Sequence, residues 1–243
     1  MIKNTVDGIN EFCKKDVFGT RIKAYLDVYG NNLTTAFFYV QEIDGVVTAV
    51  IGKVFSDITL CSSDDADFEE ITEFLSFTGY KSLLCDKNAR EKMNLPIDSF
   101  GYVMKFLKPQ REIRLKDGLI KSGEADFEFK KVYSLLKECE FELGEYSEWL
   151  SDIALRNKKG VSKTLCVQDN GNVVSTASAL FITDDAVYLG AVATSPLYRG
   201  KGSAGDLVLM LCEEGKRVNI LCKEHRVGFY ESLGFIKDGE WSL

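Results

Sequence analysis

The chain has 243 residues, 45% of them apolar and 28% charged, ordinary proportions for a globular protein of one or two domains with a sizeable core. Its 30 Lys and Arg stand against 37 Asp and Glu, a formal charge of −7, which excludes strong electrostatic binding of nucleic acid as the main activity. No apolar run of about 18 residues exists to span a membrane, and the opening Met1-Ile2-Lys3-Asn4-Thr5-Val6-Asp7 lacks the apolar stretch of a secretory signal.

The first predicted element is a hairpin. Phe37-Phe38-Tyr39-Val40-Gln41-Glu42-Ile43 meets Val46-Val47-Thr48-Ala49 across Asp44-Gly45, a pair that tolerates positive φ. A strand at Ile58-Thr59-Leu60 follows, then an amphipathic helix over 65–77 and a strand at Ser82-Leu83-Leu84-Cys85-Asp86-Lys87. After the apolar strand Tyr102-Val103-Met104-Lys105-Phe106-Leu107, the polar Lys108-Pro109-Gln110-Arg111 and the turn pair Asp117-Gly118 place a boundary within 108–118. Helices are expected over 125–140 and 146–157, separated by the acidic, aromatic Glu140-Phe141-Glu142-Leu143-Gly144-Glu145-Tyr146. A second hairpin, Thr164 to Ala177, turns at Asn170-Gly171. It leads to a strand at Val187-Tyr188-Leu189, a helix over 202–215 and a strand from Val218 to Lys223.

Three strands, a helix and a strand thus occur twice in the same order. The expected fold is α+β (mixed α/β), in two similar halves, 1–110 and 111–243, each a mostly antiparallel sheet flanked by helices. The cysteines number seven, an odd count; no Cys-x-x-Cys is present, and His225 is the single histidine. No metal site is expected, and free thiols point to a reducing cytoplasm.

Chemistry concentrates in Val192-Ala193-Thr194-Ser195-Pro196-Leu197-Tyr198-Arg199-Gly200-Lys201-Gly202-Ser203-Ala204, a strand end running through a Gly-rich loop into a helix. Ala204, Leu207, Val208, Leu211 and Cys212 make one apolar helix face, and Gly215-Lys216-Arg217 supplies a C-terminal glycine and two cations. The first amides of a helix have no internal partner and carry partial positive charge. Glycine permits close backbone approach, and Arg199 and Lys201 add fixed charge, so a phosphate or pyrophosphate fits. The loop matches neither Gly-x-x-x-x-Gly-Lys-Ser/Thr nor Gly-x-Gly-x-x-Gly. Taken alone, it also reads as a surface turn with two cations.

This stretch resembles the GNAT superfamily of N-acetyltransferases. Arg199-Gly200-Lys201-Gly202-Ser203-Ala204 matches the superfamily's acyl-CoA motif, Gln/Arg-x-x-Gly-x-Gly/Ala. A second family landmark, Phe-Tyr-x-x-x-Gly-Phe, is matched by Phe229-Tyr230-Glu231-Ser232-Leu233-Gly234-Phe235, with Tyr230 31 residues after Arg199. The resemblance implies acetyl-CoA-dependent transfer of an acetyl group to the amine of a small molecule, by direct attack on the thioester. Acetyl-CoA would be the donor and its pyrophosphate would lie on the amides of Gly200 to Ala204. The backbone of Val192 and Thr194 would pair with the pantetheine arm, and the Val192 amide would face the oxyanion. Tyr230 would protonate the leaving thiolate as general acid. Tyr230 also reads as a core aromatic beside Phe229 and Phe235.

The sequence departs from the family in places. The segment Lys223-Glu224-His225-Arg226-Val227-Gly228 lacks the Asn that many members place before the Phe-Tyr pair. No base is evident: Glu142, Glu145 and His225 are candidates, each also readable as a solvated surface residue. At the position equivalent to the Arg199 loop, the first half reads Ser62-Ser63-Asp64-Asp65-Ala66-Asp67-Phe68-Glu69-Glu70. Those carboxylates suit a helix N-terminus and would repel a pyrophosphate, so the first half resembles a degenerate GNAT domain without the acyl-CoA motif. A non-catalytic acyl-CoA-binding or regulatory module is the alternative function. Neither nucleic acid nor membrane is an expected partner.

Overall fold

A computed structural model describes residues 1–31, 34–115, 117–212 and 214–243. Residue 213, inside the helix expected over 202–215, and residue 116, inside the boundary segment 108–118, lie outside the described residues. In chain order the elements are β1 (Ile2–Lys3), α1 (Ile9–Phe12), α2 (Val17–Tyr29), β2 (Ala36–Ile43), β3 (Val46–Val54), β4 (Asp57–Ser62), α3 (Phe68–Thr78), β5 (Ser82–Asp86), α4 (Lys87–Lys92) and β6 (Phe100–Phe106). They continue as β7 (Leu119–Lys121), α5 (Phe129–Glu138), α6 (Tyr146–Lys158), β8 (Lys163–Asp169), β9 (Asn172–Ile182), β10 (Ala186–Thr194), α7 (Ser203–Met210), β11 (Arg217–Cys222), α8 (Val227–Glu231) and β12 (Phe235–Ser242).

Both expected hairpins form. Asp44 and Gly45 carry φ of +51° and +79°, and Asn170 and Gly171 carry +50° and +77°. Two consecutive left-handed residues give the turn whose twist matches its flanking strands, and these turns join β2 to β3 and β8 to β9.

The chain divides into two compact units, one of Met1–Lys105, Leu221–Gly228 and Lys237–Leu243, the other of Phe106–Ile220 and Phe229–Ile236. In the first, the strand order is β1-β2-β3-β4-β5-β12-β6. β1 to β4 are antiparallel neighbours, β4 and β5 run parallel, and β12 returns antiparallel to β5 with Trp241 opposite Asp86. α3 and α4 cover this sheet: Ile71 and Leu75, one turn apart and fully buried, pack with Ile51, Leu60, Leu83 and Met93. Burial of each such side chain stabilises the unit by roughly 1.5–3 kcal/mol.

In the second unit the order is β11-β10-β9-β8-β7. All pairs are antiparallel except β10–β11. α5 lays Val132, Leu135 and Leu136 on Cys166, Val173 and Ala193 of this sheet. The mixed α/β class is as expected; the compact units interleave, 221–228 and 237–243 grouping with the first, where the sequence suggests halves of 1–110 and 111–243. One helix is shorter than the sequence suggests. α7 stops at Met210 because Leu211 and Cys212 donate to Val208 and Leu209 in tight three-residue turns. Gly215 at φ +81° and Lys216 then lie in the connection to β11, which already contains Arg217.

Candidate active site

β10 ends in a short turn at Pro196–Tyr198 that leads through Arg199 to α7. Gly200 and Gly202 carry φ of +79° and +87°, and a Cβ on either would meet nothing within 4 Å. Their glycine character therefore serves the left-handed backbone, and the space beside them is open. Gly202 is the N-cap of α7, and no side chain caps it. Among the described residues, the backbone N–H groups from Gly200 to Gly205 meet no acceptor; the first helical donor is Asp206, to the Gly202 carbonyl at 3.1 Å.

The corresponding helix of the first unit is closed. Asp67 caps α3, accepting from the Glu70 amide at 3.0 Å, and the Asp67 amide donates to Gln41 Oε1 at 3.0 Å. Gln41 is fully buried and held by the Thr48 hydroxyl at 2.9 Å and the Glu70 carboxylate at 2.8 Å. Outside it, Asp64 bonds Lys92, which holds its carboxyl below the usual range. Protein groups thus occupy in one unit what α7 leaves open in the other.

The strand feeding the loop is irregular. The parallel register of β10 with β11 runs only from Ala186 to Leu189. Against β9, Gly190 faces Ser178 and Ala193 faces Thr176, so β10 carries an extra residue. Ala191 has φ +50°, as a β-bulge allows. Beyond it the Ser195 amide donates to Val174 of β9. Strand alternation then turns the peptide groups of Thr194, and of Val192 two residues earlier, to the edge away from β9. The Thr194 carbonyl is engaged there, accepting from Arg199 Nε at 3.1 Å and Cys139 Sγ at 3.5 Å. Arg199 is therefore folded back onto the strand end.

Other contacts brace the loop. Tyr198 donates its phenol to Asp169 in the β8–β9 turn at 2.7 Å, and this bond raises the phenol above its ordinary pKa. Lys201 lies 4.6 Å from the centre of the Tyr198 ring. Ser203 and Ala204, the last motif residues, form the first positions of α7. Arg111 binds Asp206, buried in that helix, and the Gly202 carbonyl. Nothing in the sequence links Arg111 to Asp206, since 95 positions separate them. The available signal was a lone carboxylate on an otherwise apolar helix.

Tyr230 is 6% exposed, its ring packed 5.0 Å from Phe229 and 5.7 Å from Phe235. The glycine of its motif has a visible reason. Gly234 has φ +105°, and a Cβ there would lie 1.8 Å from the Lys108 carbonyl oxygen. Leu107 and Gln110 donate to the carbonyls of Gly234 and Leu233 at 3.0 and 3.4 Å, so the segment after β6 runs against this turn. Glu142 and Glu145 are exposed, as is His225 in the first unit. Cys166 and Cys212 have thiols pushed up to about 12 by burial. Among the described residues, no three His, Cys, Asp or Glu gather as metal ligands would, and no helix is long and apolar enough to cross a membrane.

An uncapped helix entered through paired glycines, beside a bulged strand and followed by the Tyr230 turn, coincides with a family match. The model of the acetyltransferase (GNAT) family aligns with residues 129–235. Residues 129–235 form a GNAT domain. That GNAT domain contains the Arg199–Ala204 loop, the bulge and Tyr230 on one continuous match, and acetyl transfer is the class of chemistry its family supports. Among curated proteins, none matches this sequence. Among solved structures, a GCN5-related N-acetyltransferase from Sphaerobacter thermophilus has a TM-score of 0.56 at 12% identity, covering 100% of this chain and 93% of that one. A tandem GNAT protein from the clavulanic acid biosynthesis pathway has a TM-score of 0.55 at 10% identity, covering 100% of this chain and 96% of that one. At such identities the likeness is one of fold, and it extends the GNAT architecture to the N-terminal half. A GNAT-family protein from Novosphingobium aromaticivorans DSM 12444, 17% identical with a TM-score of 0.44, aligns over 60% of this chain and 64% of its own length.

Proposed function

We propose that the chain is an acetyl-CoA-dependent N-acetyltransferase that acts on the amine of a small molecule by direct attack on the thioester. The observation that carries this reading is the row of unpartnered amides from Gly200 to Gly205 at the head of α7. Open space beside both glycines fits a pyrophosphate there. Arg199 and Lys201 flank Gly200 in the chain and add positive charge to the loop, Arg199 while bonded to the Thr194 carbonyl and Lys201 over the Tyr198 ring. The edge of β10 at Val192 and Thr194 would receive the pantetheine arm as an added strand, with the Thr194 carbonyl shared with Arg199.

The residues then have distinct tasks. The Val192 amide donates to the oxyanion that forms as the amine attacks the carbonyl carbon. Tyr230 gives its phenolic proton to the thiolate as the C–S bond breaks. The amine's own proton leaves to solvent, directly or through an exposed carboxylate such as Glu142 or Glu145. The alternative, an acyl-CoA-binding module without chemistry, draws on the exposure of Glu142, Glu145 and His225, none of which is held in a buried site as an oriented base.

Acetyl-CoA at about 100 times its Kd should stabilise the protein by about 2.7 kcal/mol, a rise in melting temperature of roughly 5–10 °C. Gly202→Glu should abolish the rise, whereas Gly202→Ala, sharing the backbone strain without the charge, should keep most of it. Tyr230→Phe should preserve the rise and slow CoA release on an amine panel by about 100-fold. No rise with the unmodified protein refutes the reading. A rise with no CoA release on any amine favours the binding module.

A further inference from the structure

α7 offers its amides to an anion, yet Asp206 sits in its first turn with 3% of its surface exposed. A carboxylate there opposes any anion bound at the helix head. The structure pairs it. Arg111 Nη1 donates to Asp206 Oδ1 at 2.5 Å and Nη2 to the Gly202 carbonyl at 3.2 Å, while the Arg114 amide donates to Asp206 Oδ2 at 3.2 Å. The guanidinium therefore holds the N-cap residue and the buried acid together. Its approach requires Gly205, because a Cβ there would lie 2.4 Å from Arg111 Nη2. A lysine, with one point charge and no planar fork, does not reproduce both bonds.

We propose that Arg111 is a positioning residue of the donor site: it offsets the Asp206 charge and sets the Gly202 turn, so that the amides of Gly200 to Gly205 accept the pyrophosphate of CoA. This rests on the functional reading above. The segment that supplies Arg111 is the one carrying Leu107 and Gln110 past the Tyr230 turn. Donor affinity is thereby tied to the seating of this connecting strap.

The test is calorimetric titration of the full chain with CoA at fixed ionic strength, alongside melting of each ligand-free variant. Arg111→Leu should weaken CoA binding about tenfold, the scale expected for one unit charge left unbalanced in the first turn of the helix that faces the phosphates. Arg111→Lys should fall between. Gly205→Ala should weaken binding with Arg111 still present, by displacing it. Asp206→Asn is decisive. It should melt lower than the unmodified protein yet bind CoA more tightly, because the guanidinium charge then stands uncompensated beside the amides. A purely structural pair would lose affinity in both directions, so weaker binding by Asp206→Asn overturns the proposal, even if Arg111→Leu does not fold. Unchanged binding by a folded Arg111→Leu overturns it as well. Failure of the unmodified protein to bind CoA refutes instead the functional reading beneath it.

Discussion

Gly234→Ala tests the connecting strap at its tightest point. At φ +105° an alanine pays roughly 1–2 kcal/mol in backbone strain. Its Cβ would start 1.8 Å from the Lys108 carbonyl oxygen, far inside van der Waals contact, so the strap must retreat by more than about 1 Å. That motion breaks the bonds of Leu107 to Gly234 and Gln110 to Leu233, 3.0 and 3.4 Å long, at about 1 kcal/mol each. It also loosens the packing of Phe106 on Phe235, whose ring centres lie 5.1 Å apart. The expected cost is about 3–5 kcal/mol. Gly200→Ala is the control. It has a left-handed φ of +79° but open space around the Cβ, so it should cost only about 1 kcal/mol. Urea unfolding followed by tryptophan fluorescence in a Trp241→Phe background reports the second unit through Trp149. Equal shifts of the urea midpoint in the two variants would refute the strap geometry. If the strap carries Arg111 into place, Gly234→Ala should also bind CoA more weakly than Gly200→Ala does, relative to their stabilities.

Asp67→Ala removes the cap of α3 and should cost about 1 kcal/mol in urea unfolding, with CoA titration unchanged because the proposed donor cradle lies in the other unit. Trp241 is 8% exposed and donates its indole N–H to the Cys222 carbonyl at 3.2 Å. Trp241→Ala should destabilise the first unit by about 3–5 kcal/mol, seen as early proteolysis of residues 1–105 with the Trp149 transition retained. The Cys166 and Cys212 thiols are pushed from 9.0 up to about 12 by burial. The folded chain keeps both protons where the unfolded chain releases them, so their contribution is intact below pH 9.0 and falls as pH rises toward about 12. The slope is ~1.4 kcal/mol per pH unit for each thiol. Urea midpoints at about pH 8 and about pH 10.5 measure it, and Cys166→Ala with Cys212→Ala should reduce it, the buried Cys61 and Cys85 thiols, also raised, retaining the rest.

What could be read from the chain was local. Asp44-Gly45 and Asn170-Gly171 announce their hairpins because few residue pairs accept two left-handed positions in succession. The Arg199–Ala204 loop was legible because its glycines and cations are adjacent in sequence. Contacts made across long separations were not. Arg111 reads as a polar linker residue, since its partner lies 95 positions away. Lys237–Leu243 carries no mark that assigns it to the first unit, where β12 pairs with β5. The bulge was hidden for another reason: its left-handed position is Ala191, which only the mismatch of β10 with β9 explains. The early end of α7 was masked because Leu211 and Cys212 continue the apolar face after the backbone has turned to three-residue bonds.

The two units solve the same local problem with opposite results, and the difference is informative about function. A helix head needs acceptors for its first amides. Asp67 and Gln41 supply them at α3, and such a cap is worth about 1 kcal/mol. At α7 the N-cap is a glycine with no side chain to offer, and both entry glycines hold backbone conformations that other residues resist. Stability alone would favour an aspartate or serine cap there. The forgone cap is accompanied by a buried aspartate that needs its own arginine, brought from a distant segment. Under the proposed reading, an external anion at the helix head offsets the cost of the glycine cap and its left-handed entry, while Arg111 offsets the Asp206 charge that would oppose that anion. With one head left open and its counterpart closed, the open head is the place where we propose that the donor's anion sits.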